Sequence, residues 1–142
     1  SDISTAALQV AKANADRLHL DVAFVHSDLL TSVSTQPFDI IVSNPPYIAT
    51  SEKDVMDASV LAHEPQTALF AAHEGLALYE QLAMTVADHL TSTGRLYLEF
   101  GYPQGSALQQ LFAQSMPDAT VTLRQDMAGH DRMLRVAMAP TR

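Results

Sequence analysis

The sequence predicts an α/β fold built on a mostly parallel sheet with an antiparallel closing strand. Three features carry that expectation. Strand-like apolar runs alternate with helical patterns through most of the chain. One such run, Phe38-Asp39-Ile40-Ile41-Val42, is cut short by the consecutive prolines Pro45 and Pro46. Towards the far end, Thr120 to Arg124 and Met133 to Met138 alternate or run apolar on either side of a polar stretch, the pattern of an antiparallel pair.

Taken in order, Ser4 is a candidate N-cap, and Ala7, Leu8, Ala11 and Ala15 recur at helical spacing, which predicts an amphipathic helix from Ser4 to Leu18. Asp2 lies just before it and, taken alone, reads as a second cap or a solvated position. Val22 to His26 predicts a short strand, followed by Ser27-Asp28-Leu29-Leu30, and Asp39 to Val42 predicts the next, a buried one. A polar, proline-containing connection then runs from Ala49 to about Ala72, with a capping-box match at Ser51-Glu52-Lys53-Asp54. Its length suits a lid or binding segment as well as a surface excursion.

From Gly75 to Leu90 the residues Leu76, Tyr79, Leu82, Ala83, Val86 and Leu90 share one helical face, which predicts a core-facing helix stopped by Thr93-Gly94. Arg95 to Phe100 predicts a buried strand. Its Glu99 stands among apolar neighbours, either at the edge of a site or satisfied by backbone donors. Gln104 to Ser115 predicts a further helix with Leu108, Leu111 and Phe112 inward. Without a repeat, a low-complexity tract or a linker, one compact unit is expected.

Composition narrows the chemistry. The hydrophobic share of 47% with 17% charged residues is that of a soluble globular protein. A net charge of -8, with only 8 Lys and Arg, disfavours a surface that holds nucleic acid through its phosphates. The absence of cysteine excludes disulfides, thiolate metal sites and a cysteine nucleophile, and is compatible with a cytoplasmic setting. No apolar run approaches the roughly 18 residues of a membrane helix, so no membrane partner is expected. The 6 histidines show no metal-binding spacing, which predicts loop or surface roles and no metal site. No Gly-x-Ser-x-Gly elbow and no Walker loop occur. The methionines are expected to fill gaps in the core.

What remains is Ser43-Asn44-Pro45-Pro46-Tyr47. Asn-Pro alone would be an ordinary strand-ending turn. The complete Asn-Pro-Pro-Tyr directly after a hydrophobic strand is a different object, because neither proline donates a hydrogen bond and the residue before each is pushed extended. The turn is therefore stiff, with carbonyls expected to point outward unpaired. Those carbonyls and the Asn44 carboxamide converge as acceptors, with the flat face of Tyr47 beside them, a site suited to a planar group that presents an NH2. In an open parallel sheet ligands bind at the carboxyl ends of strands, so Asp2, Asp28 and Asn44 are candidates to line one crevice. Carboxylates there suit ribose hydroxyls or an exocyclic amine, which points to an adenosine-containing cofactor.

On these residues the chain resembles the release-factor glutamine methyltransferases, the PrmC/HemK family of class I S-adenosylmethionine-dependent enzymes with a Rossmann-like fold. The matching pieces run through the whole chain: Ser1-Asp2-Ile3-Ser4, Ser27-Asp28-Leu29, Ser43-Asn44-Pro45-Pro46-Tyr47-Ile48, Glu64-Pro65 with Ala68-Leu69, Gly75-Leu76 with Tyr79, Leu98-Glu99-Phe100-Gly101 with Gln104, and Asp126-Met127-Ala128-Gly129 with Asp131-Arg132. The resemblance implies N5-methylation of a glutamine side chain in a peptide chain release factor, part of translation termination, with S-adenosylmethionine as cofactor. It implies that Asp2 binds the cofactor ribose and that Asp28 and Leu29 contact the adenine. Asn44 and the carbonyl of Pro45 would hold the substrate NH2 close to the cofactor's methyl, while Pro46 and Tyr47 shape the slot.

The family opens its catalytic domain with a strand and a glycine-rich loop, preceded by a helical recognition domain, and neither is found in this sequence. Residues 1–142 are thus expected to be the carboxyl-terminal portion of a longer catalytic domain, binding the cofactor poorly and inactive in isolation. Open sheet edges would invite self-association. Rival readings are methylation of a ribosomal-protein glutamine, methylation of adenine N6 in nucleic acid, which shares the Asn-Pro-Pro-Tyr motif, and a non-catalytic binding module.

Overall fold

The computed structural model describes residues 1–34, 36–56 and 58–139. The chain divides into two compact units, Ser1–Gln36 and Pro37–Arg142, where one was expected from the sequence.

In the first unit, helix α1 spans Thr5–Arg17, one residue inside the expected limits. Its start is fixed by side chains, as the Ser4 Oγ accepts from the Ala7 N–H at 3.2 Å and the Asp2 Oδ1 accepts from the Ser4 N–H at 2.7 Å. Only Ala15 is buried along it. The strand expected over Val22 to His26 is reduced to a single parallel bridge between Asp2 and His26, made by Asp2 N–H to Val25 carbonyl (3.2 Å) and Ser27 N–H to Asp2 carbonyl (3.0 Å). A strand exists only along the length of its partner, and Asp2 supplies one residue of it.

The second unit holds a four-stranded sheet. Its strands are β1 (Phe38–Ser43), β4 (Leu90–Glu99), β5 (Ala119–Gln125) and β6 (Asp131–Met138), in spatial order β1-β4-β6-β5. β1 and β4 are parallel, whereas β6 runs antiparallel to both β4 and β5. Three strands therefore share one direction and β6 alone opposes them, which is the mostly parallel sheet with an antiparallel closing strand that the sequence predicts. The 119–125 and 131–138 segments pair as expected.

Side-chain alternation divides the sheet into two faces. Leu96 and Leu98 of β4 stand opposite Val136 and Leu134 of β6, and all four are buried. Above β5 and β6 packs helix α5 (Gly105–Ser115), with Leu108 and Phe112 inward, and α5 in turn meets helix α4 (Ala77–Thr85), with Tyr79, Leu82 and Ala83 buried. Val86 and Leu90 continue the same apolar face through a 3₁₀ turn, Val86–His89, into β4. Thr93-Gly94 does not end the helix, because β4 already starts at Leu90; an irregularity between the Phe38 and Ile40 pairings with β4 accommodates the extra residues.

Three expectations change here. β1 is more exposed than expected: among the described residues its neighbour in the sheet is β4, and Val42 is 74% exposed. His89 is buried, its ring Nδ1 within 3.1 Å of the Thr85 carbonyl, unlike the other five histidines, which are exposed. Of the methionines, Met116 is buried, whereas Met84, Met127 and Met133 are exposed.

The connection after Tyr47 is neither bare loop nor one helix. It consists of β2 (Ile48–Ala49), a 3₁₀ turn (Thr50–Val55), helix α2 (Ala58–His63), helix α3 (Gln66–Leu69) and β3 (Phe70–Ala71), with β2 and β3 paired in parallel. The cap sits earlier than the sequence match suggests, as the Glu52 Oε1 accepts from the Ala49 N–H at 3.2 Å. Among the described residues no helix is long and apolar enough to cross a membrane.

Candidate active site

Because β1 and β4 are parallel, with Ser43 opposite Leu98, both strands leave the sheet at the same edge. Asn44-Pro45-Pro46-Tyr47 follows β1 there, and Phe100-Gly101 follows β4. Asn44 is exposed, Pro45 is buried, and Pro46 and Tyr47 are half-buried. The acceptor-bearing Asn44 thus faces solvent on a proline anchored beneath it.

Tyr47, alone of the four turn residues, lines a cavity of about 490 Å³, together with Leu76, Gly101, Tyr102, Gln104 and Arg132 among others. One side chain links the segments around it. The Gln104 Nε2 donates to the Tyr47 carbonyl at 2.9 Å and to the Glu74 carbonyl at 3.1 Å, while its Oε1 accepts from the Gly101 N–H at 3.1 Å. The expectation that the turn's carbonyls are unpaired therefore fails at Tyr47, whose carbonyl is taken by a residue from the end of β4. Backbone approach is closest at Gly75, where an added Cβ would lie 2.0 Å from the Tyr47 carbonyl oxygen. Gly75 also has φ +84°, ending a run with His73 at 52° and Glu74 at 56°. Two non-glycine residues in left-handed geometry cost on the order of 1–2 kcal/mol each and persist only where neighbours enforce them.

Below this edge the buried Tyr79 hydroxyl donates to the Glu99 carbonyl at 2.7 Å. Burial pushes its pKa well above the usual phenol range, with the nearby Tyr47 and Glu99 adding to the rise, so it remains a neutral donor. The backbone carbonyl of Glu99 thus holds the Tyr79 hydroxyl, beside its half-buried side chain. On the cavity's other side Arg132 donates through Nη1 to the Phe100 carbonyl at 3.3 Å, and its Nε lies 3.6 Å from Asp126. The Asp126 Oδ1 accepts from the His130 N–H at 3.0 Å and the Ala128 N–H at 2.8 Å, which closes the β5–β6 loop. The His130 backbone hydrogen bond is the main reason the Asp126 carboxyl is held below the usual carboxylate range.

Of the residues expected to hold a cofactor, Asp2, Asp28 and Leu29 lie in the first unit, whereas Asn44 lies in the second. The parallel Asp2–His26 bridge sets Asp2 beside the segment that leads to Asp28 and Leu29, and the Ser1 hydroxyl donates to the Leu29 carbonyl at 3.4 Å. Asp2 and Asp28 are exposed, and Leu29 is half-buried with φ 48°. Sequence reasoning set Gln104 and Gly75 among the family pieces without a role; their signal was a Gly-x-x-Gln directly after a strand and a lone glycine before a helix.

A family model, the methyltransferase small domain, matches residues 1–75. The chain belongs to the methyltransferase small domain family. The Lactococcus lactis protein named release factor glutamine methyltransferase is 48% identical to this methyltransferase chain over 136 residues, 96% of the chain and 50% of that protein. The Enterococcus faecalis protein of the same name is 44% identical over 93% of the chain and 48% of its own length. The chain spans about half the length of the curated relatives it matches. A solved methyltransferase from Pyrococcus furiosus shares the fold with a TM-score of 0.64 at 15% identity, over 92% of this chain and 57% of that one. The fold is thus the Rossmann-like fold of the class I methyltransferases.

Proposed function

We propose that the full-length protein methylates the side-chain amide nitrogen of a glutamine in a peptide chain release factor, with S-adenosylmethionine as methyl donor. The names of the relatives support the substrate. The observation that carries the chemistry is the Asn44-Pro45-Pro46-Tyr47 turn, exposed at Asn44 and anchored at Pro45 and Tyr47, at the carboxyl end of β1 and beside the cavity.

An amide nitrogen is a poor nucleophile because its lone pair is delocalised into the carbonyl. The Asn44 carboxamide oxygen and the Pro45 carbonyl accept from the two N–H bonds, orient the nitrogen and stabilise positive charge as it builds there. Positioning and electrostatics then supply the catalysis, and the methylated nitrogen gives up its surplus proton to solvent, so no side chain need act as acid or base. Pro46 and Tyr47 shape the slot. The donor set of the first unit fits the cofactor: the exposed carboxyl groups of Asp2 and Asp28 offer acceptors for ribose hydroxyls and the adenine amine, and Leu29 offers an apolar contact. When bound, the cofactor supplies a methyl group activated on a sulfonium centre. Translation termination as the setting implies a cytoplasmic protein.

Asn44→Ala in the full-length protein tests this reading. Loss of one preorganised charge-stabilising contact is expected to lower kcat by about 10²–10³-fold while the protein stays folded and retains the methyl donor. Unchanged methyl transfer would overturn the amide clamp, and a protein without any methyl transfer in the wild type would be a binding module.

A further inference from the structure

We infer that Gln104 is a positioning residue for the amide clamp, fixing the peptide that ends the Asn44-to-Tyr47 turn; this rests on the glutamine-methylation reading. Its carboxamide joins three segments that are far apart in sequence: the turn after β1 through the Tyr47 carbonyl, the left-handed run before α4 through the Glu74 carbonyl, and the exit of β4 through the Gly101 N–H. The orientation of the amide is decided by its partners. Reversed, its oxygen would face two carbonyl oxygens and its NH2 would face a backbone N–H, so only one placement satisfies all three.

The lock at Tyr47 reaches the proposed acceptors because of what lies between. Pro46 has its φ fixed by its ring, and Pro45 is restricted by the proline that follows it. Fewer torsions therefore separate the Tyr47 carbonyl from the Pro45 carbonyl than in an ordinary turn, so holding the first narrows the directions open to the second and to the exit of Asn44. The same amide braces His73, Glu74 and Gly75, whose backbone touches the Tyr47 carbonyl too closely for any Cβ at position 75. The hydrogen bonds of Gln104 go to Tyr47, Glu74 and Gly101 rather than to Asn44 or Pro45, and its effect is on aim rather than on chemistry.

The test is steady-state methyl transfer by the full-length protein carrying Gln104→Ala or Gln104→Met, with a release factor and S-adenosylmethionine, alongside Asn44→Ala. Gln104→Met keeps the side-chain volume, so the test survives if Gln104→Ala does not fold. The expected result is a fall in kcat of tenfold or more in variants that still melt cooperatively, with KM for the methyl donor within twofold of wild type. A role confined to stability would lower the melting temperature and leave kcat of the folded enzyme within threefold, and that result would overturn the inference. If Asn44→Ala also left kcat untouched, the clamp reading itself would fall; loss in Asn44→Ala with no loss at Gln104 would reject only the positioning role.

Discussion

Asp126 shows how a single carboxyl group organises the loop that carries Arg132 to the cavity. Its folded pKa is depressed chiefly by the His130 N–H, so the carboxylate form favours folding. That contribution is fully present above the unfolded carboxylate value of about 4 and is lost as the pH falls through the folded value. Asp126→Asn is therefore expected to be less stable than wild type at neutral pH, and the two urea midpoints should converge as the pH is lowered below about 4. A gap that is constant with pH would mean that the charge contributes nothing. The sequence marked Asp126-Met127-Ala128-Gly129 as the stretch between two strands and as a family piece, without a role for Asp126, because backbone N–H groups brought within reach of a carboxyl leave no pattern in residue type. Asn44 was legible for the opposite reason: two prolines after a strand dictate where the chain stops whatever surrounds it.

Elements were legible where burial and period agree. Tyr79, Leu82, Ala83, Val86 and Leu90 form one apolar face in sequence and one buried face in the structure. The misread elements are those whose state depends on a partner. Among the described residues Val22 to His26 has strand-like residues but pairs through the single Asp2–His26 bridge, and Phe38 to Val42 reads as buried though β4 is its neighbour in the sheet. A strand's neighbours are set by topology, which residue type does not encode. The join between the turn after β1 and the start of α4 likewise depends on approach rather than pattern. Gly75→Ala would place a methyl group 2.0 Å from the Tyr47 oxygen at φ +84°. It is expected to destabilise the protein by about 2 kcal/mol or more, read from urea unfolding, and a change within about 0.5 kcal/mol would show that the two segments separate freely.

Over the whole molecule, the direction of the strands was readable, with three aligned and β6 opposed, and so was the position of the Asn44-to-Tyr47 turn directly after a strand. The division into Ser1–Gln36 and Pro37–Arg142 was not, because it lies in how contacts are distributed rather than in composition. Membership of a methyltransferase family is shown by the match over residues 1–75, while the proposed transfer of a methyl group to an NH2 rests on the Asn44-to-Tyr47 turn. A glutamine amide and an adenine amine both present an NH2, and under the proposed reading the net charge of -8 weighs against the nucleic-acid alternative. The most direct measurement incubates the full-length protein with isotopically labelled S-adenosylmethionine and, separately, a release factor, a ribosomal protein and nucleic acid, then maps the label by mass spectrometry. The expected result is a single labelled glutamine, methylated on its side-chain nitrogen, in the release factor alone; label on ribosomal protein or adenine, with the release factor unmodified, would contradict it.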